Sequence, residues 1–155
     1  MEVTNDPLQE LSPFLSTIGF RGILTMLKQR KTPGSIDYFL PSRQQLINSF
    51  NVMHNKDLSV GGRALDKHCK RSVTDNFWGT MTGGAKQRNE KAIVVLEKIL
   101  EQADWINSHL LPHGIPCFEV RTVQGYGARW VYSRGNPQEQ DKEDDIMIFR
   151  GFLEP

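Results

Sequence analysis

The sequence predicts an α+β fold: a helical N-terminal half, then one long amphipathic helix packed on a small antiparallel β-meander at the C-terminal end. Two observations carry that prediction. Between about Asn89 and Ser108, apolar residues recur at helical spacing: Ala92, Val95, Leu96, Ile99, Leu100, Ala103 and Ile106. From Phe118 onward the period changes to two, with Phe118, Val120 and Thr122 alternating with Glu119, Arg121 and Val123. A chain of 155 residues fits a single domain spanning 1–155, large enough to bury a core without metal or disulfide support.

The N-terminal half reads as three shorter helices. Leu8, Leu11, Leu15, Ile18, Gly22 and Met26 fall three or four apart, the spacing of a core-packing face, and Lys28, Arg30 and Lys31 suit a helix C-terminus before Pro33-Gly34. Pro13 and the glycines leave room for two segments there. Ser42 is an N-cap candidate for a helix carrying Leu46, Ile47 and Phe50. A further helix covers 58–68, with Val60, Ala64 and Leu65 inward, and residues 72–88 read as a loop anchored by Phe77 and Trp78.

In the C-terminal half, Gln124-Gly125-Tyr126-Gly127 forms the turn between the first two strands. Ala128, Trp130 and Tyr132 alternate with Arg129 and Val131 on the return strand. Residues 136–145 form a polar, acidic loop, and Ile146 to Leu153 supply a third strand.

Composition excludes several classes. No apolar run approaches the ~18 residues of a membrane span, and the acids at Asp6 and Glu10 interrupt any signal-peptide pattern. Cys69 and Cys117 read as reduced, buried thiols, so the expected setting is cytoplasmic or nuclear. Charge is uneven: residues 1–91 carry thirteen Lys/Arg against eight Asp/Glu, residues 92–155 six against ten. Such an asymmetry orients a partner or pairs the two halves of the fold.

Several constellations compete for function. The leading one is a sheet face where Glu119, Arg121, Arg129 and Arg150 converge with Trp130, because guanidinium forks match carboxylates and phosphates. The leading functional expectation is therefore a non-catalytic adaptor that binds a protein partner through this face. The first alternative is nucleic-acid binding by Arg63, Lys67, Lys70 and Arg71, which share one side of the 58–68 helix and its continuation. A small enzyme of unspecified reaction is the second.

His109, His113 and Cys117 are types that zinc accepts, with His68 or Cys69 as a fourth ligand, but Pro112 interrupts the helix that would align them, and no metal site is expected. In the glycine-rich stretch Gly79–Lys86, Ala85 stands where a phosphate loop needs lysine and no hydroxyl residue follows it, so no nucleotide cofactor is implied. No nucleophile elbow or desolvated acid stands out, which leaves no residue assigned to catalysis.

Overall fold

The computed structural model describes residues 7–37, 40–71, 76–133 and 146–155, with only the backbone of 7–10 and 71. Among the described residues, four α-helices precede a four-stranded antiparallel sheet whose strand order follows the chain, β1-β2-β3-β4. The helices are α1 Pro7–Met26, α2 Arg43–Asn51, α3 Val60–Arg71 and α4 Ala85–Glu101. The strands are β1 Ala103–Leu111, β2 Ile115–Thr122, β3 Gly127–Ser133 and β4 Ile146–Leu153. The α+β architecture expected from the sequence is what forms. The expected acidic loop at 136–145 lies outside the described residues.

Both boundaries of the long helix differ from expectation. The long helix starts at Ala85, where Gln87 Oε1 accepts from the Gly84 N–H at 2.9 Å, and it stops at Glu101. Residues 103–111 are not its last turns but a fourth strand. Asp104, Asn107, Ser108 and His109 are poor helix formers, whereas Trp105 and Ile106 suit a strand. Ala103 and Ile106 extend the helical spacing by coincidence.

Helices α2, α3 and α4 pack on one face of the sheet. Phe118, Val120, Ala128, Trp130, Met147, Phe149 and Phe152 point into that layer. Phe50 of α2 meets Phe149 edge-on at 4.8 Å between centroids, and Trp130 meets Phe149 at 5.5 Å. Ser42 caps α2 with the reciprocal Gln45 bonds of a capping box. The glycine pair of α3 is explained by packing: a Cβ on Gly61 would collide with the Phe50 ring, and one on Gly62 with Asn89 Oδ1. That Asn89 oxygen accepts from Ser59 N and Oγ, both at 3.0 Å.

Helix α1 departs from its expected role. It kinks at Gly19 (φ 63°), and Leu11, Phe14, Leu15, Phe20 and Met26 remain exposed, so its apolar stripe is not a core-packing face. The chain after it instead borders β1. Arg30 N donates to Ile106 O and Ile36 N to Ser108 O.

Gly61→Ala is expected to destabilise the domain by about 1–3 kcal/mol, because the added methyl must displace Phe50 in a close-packed core. Urea denaturation checks this. An unchanged midpoint would mean that α2 and α3 separate without cost.

Candidate active site

The face of the sheet opposite the aromatic core carries the polar residues, and the register sets them in rows. Asn107 of β1 pairs with Glu119 of β2, Glu119 with Arg129 of β3, and Arg129 with Gly151 of β4. One row away lie His109, Cys117 and Val131, and on the other side Trp105 and Arg121. Alternation in β2 places Cys117, Glu119 and Arg121 together because Phe118 and Val120 must turn into the core.

Glu119 is the centre of this face. Only 3% of its surface is exposed, and both carboxylate oxygens are occupied. Arg121 Nε donates to Oε1 at 2.7 Å; Arg129 donates to Oε2 from Nε at 2.8 Å and from a terminal nitrogen at 2.7 Å. The His109 Nε2 atom lies 3.3 Å from the same Oε2 and 3.3 Å from Cys117 Sγ. Burial pushes the Glu119 carboxyl up, but hydrogen bonds from Arg121 and Arg129, and then their charges, outweigh it. The net effect holds the group below the usual glutamate value, as an anion. Burial raises the Cys117 thiol to about 11, so the sulfur beside His109 stays protonated at neutral pH.

Neighbours fix the cluster. Arg121 also donates to Gly125 O at 2.7 Å and to Glu154 O at 3.1 Å, which ties the β2–β3 turn to the end of β4. Asn107, nearly fully buried, accepts from Ser35 Oγ at 2.8 Å and donates to Thr32 Oγ1 at 3.0 Å. The segment after α1 thereby braces β1 beside the carboxylate. Arg121, Arg129 and His109 keep 28, 29 and 19% of their side-chain surface exposed, so solvent and ligand reach them over the buried anion.

The residues singled out in the sequence are thus only partly assembled. Glu119, Arg121 and Arg129 come together. Trp130 does not join them: its parity sends it into the core, fully buried, where its Nε1 donates to Leu46 O at 3.3 Å. Arg150 does not join them either. It is the extra residue of a β-bulge, since Trp130 pairs with Phe149 and Arg129 with Gly151. The bulge also breaks the expected parity of β4, so that Phe152 enters the core with Met147 and Phe149.

Of the alternative set on α3, Arg63 and Lys67 line an open cavity together with Arg150. Lys70 turns to Asp66 at 2.5 Å, and the side chain of Arg71 is outside the described residues. His109 belongs to a strand, not to a helix C-terminus. The sequence offers it as a zinc-type ligand or a cation at a helix end, and the helical spacing through Ala103 and Ile106 hides its place beside Glu119. Period-two spacing of Trp105, Asn107 and His109 was the signal available.

Glu119→Gln is expected to cost roughly 3 kcal/mol at pH 7, because it leaves two guanidinium groups without their counter-charge. The folded-state pKa is lowered, so the carboxylate's contribution is present above the unfolded value of about 4.3 and is lost as pH falls through the folded-state value. The gap between variant and parent should therefore narrow below about pH 4. Urea melts at pH 7 and pH 3.5 measure it, and equal gaps would refute the linkage.

Residues 47–136, more than half of the chain and inclusive of His109, Glu119, Arg121 and Arg129, match the family of CdiA C-terminal tRNase toxin domains. Among solved structures, the toxic C-terminal tip of CdiA from Pseudomonas aeruginosa, crystallised in complex with an immune protein, is similar at a TM-score of 0.50 and 24% identity. That likeness covers 69% of this chain and 99% of the other, and at this identity it speaks for the fold. No curated protein sequence matches. The non-catalytic adaptor expected from the sequence is therefore corrected: the chain belongs to the CdiA C-terminal tRNase toxin domain family.

Proposed function

We propose that this domain is a toxin that cleaves tRNA, with the charged sheet face as its active centre. The observation that carries the site is a buried carboxylate held ionised by two arginines, with an imidazole on the same oxygen, in a family of tRNase toxin domains.

RNA supplies its own nucleophile, the ribose 2′-hydroxyl. Cleavage needs a base for that proton, cationic donors for the phosphoryl oxygens, and an acid for the departing 5′-oxygen. Glu119 is the base: it is anionic at neutral pH, and phosphate competing for Arg121 and Arg129 would free its oxygens. The 2′-oxygen then forms a bond to phosphorus, and the phosphorus–5′-oxygen bond breaks. His109 hands its proton to the 5′-oxygen, leaving a 2′,3′-cyclic phosphate and a 5′-hydroxyl. Arg121 and Arg129 bind the non-bridging oxygens, as their planar forks favour. Both keep exposed surface for the purpose.

The chain's substrate would place its action in the cytoplasm, where tRNA is found. A protein partner of the immune-protein kind, as in the Pseudomonas aeruginosa complex, would neutralise it.

His109→Ala is expected to lower tRNA cleavage by about 10²–10⁴-fold while the melting temperature stays close to that of the parent. Incubation of the purified chain with tRNA, read on denaturing gels with end-group analysis for cyclic phosphate, tests this. Undiminished cleavage by both His109→Ala and Glu119→Gln would overturn the assignment.

A further inference from the structure

A second basic feature lies around the edge of the sheet from the proposed active centre. An open cavity of about 270 Å³ separates α3 from the end of β4, near the lower end of ligand-sized clefts (~300 Å³). Arg63, Lys67 and His68 line it from the helix, and Arg150 lines it from the strand. The spacing 63, 67 puts Arg63 and Lys67 one turn apart on the same side of α3.

The charge of this cavity is largely unspent. Among the described residues, neither Lys67 nor Arg150 pairs with a carboxylate, and Arg63 reaches only the ring of His54 at 2.8 Å. Asp66, the acid of the same helix, is taken up by Lys70 and by Arg88. Of the lining residues, His68 meets a carboxylate, with its Nδ1 2.7 Å from Glu154. Unpaired cations gathered around a hollow favour a ligand with spread negative charge and several acceptor oxygens.

The bulge connects this cavity to the catalytic face. Gly151 is the register partner of Arg129, and Arg150 is the residue next to it, diverted to the α3 side. Among the described residues β4 is the edge strand, and none of the described strands separates Arg129 from the cavity mouth on that side except β4 itself. A polyanion lying over Arg129 can pass over that edge toward Arg150, Lys67 and Arg63.

We propose that the α3–β4 cavity binds a backbone phosphate of the RNA substrate on one side of the scissile linkage, so that the chain grips tRNA at two places. This rests on the tRNA-cleaving reading of the sheet face. Arg63, Lys67 and Arg150 supply position and affinity, and proton transfer stays with His109 and Glu119.

The test measures tRNA affinity by fluorescence anisotropy in the full chain carrying His109→Ala, at several salt concentrations. Adding Lys67→Ala and Arg150→Ala is expected to weaken binding on the order of tenfold and to reduce the salt slope by about one unit. Lys67→Arg with Arg150→Lys keeps the charges and should keep the slope. These side chains lie at the surface of the cavity, and a thermal melt verifies that the variants fold. Unchanged affinity and slope in the alanine pair would overturn the inference and leave the patch to a protein partner. That failure is separate from failure of the active centre, which is judged by cleavage with His109→Ala and Glu119→Gln alone.

Discussion

The ion cluster around Glu119 is the constraint on which the C-terminal half depends. Moving a carboxylate out of water costs several kcal/mol, and attraction alone repays this only when geometry is good and the remaining hydrogen-bonding capacity is filled. Here both oxygens are filled, and by guanidinium groups from different strands. Arg121 then extends the cluster to the β2–β3 turn and to the chain's last residues through Gly125 and Glu154 carbonyls. Losing the anion would loosen a turn, a strand pairing and the C-terminal end together. An apolar replacement could stabilise the sheet at least as well. The presence of charge at this place is accordingly better explained by chemistry than by stability.

The rest of the architecture decides which residues share this face. Among the described residues, α2, α3 and α4 cover one side of the four-stranded sheet, and the aromatic residues decide which side. Phe118, Trp130, Phe149 and Phe152 gather on the helix side with Phe50 and Trp78, so the charged partners of the alternation are left on the other. Trp130 and Arg129 are neighbours in sequence and opposites in function because a strand sends consecutive side chains to opposite faces. The brace from Thr32 and Ser35 to Asn107 closes the β1 side, while β4 is the other edge among the described strands.

What could be read from the sequence follows from how local each signal is. The alternation along Phe118–Thr122, the Ser42 cap and the shared face of Glu119 and Arg121 depend on neighbours a few residues apart, and all three are in place. What could not be read depended on partners far away in sequence. Residues 103–111 continue a helical stripe by coincidence, and only pairing with β2 makes them a strand, so His109 was seen apart from Glu119. Burial of Glu119 is likewise a property of the assembled sheet; its composition gives no hint that a surface acid becomes a desolvated one. Arg150 was misplaced because a bulge adds a residue without any mark in a run of apolar side chains.

That bulge has a wider effect than shifting parity. Without it, Arg150 would alternate onto the face of Arg129 and crowd a second row of positive charge against the guanidiniums already bound to Glu119. Like charges at cross-strand distance oppose one another, and both oxygens of Glu119 are already taken by Arg121 and Arg129. Diverting one arginine relieves the repulsion and delivers the charge to α3, next to Arg63 and Lys67. The same irregularity also returns Phe152 to the core, where it stacks edge-on near Phe50 at 5.7 Å. One extra residue in an edge strand thus keeps the aromatic layer complete while dividing the basic groups between two neighbouring surfaces, an arrangement suited to a long anionic chain and poorly suited to a single small anion.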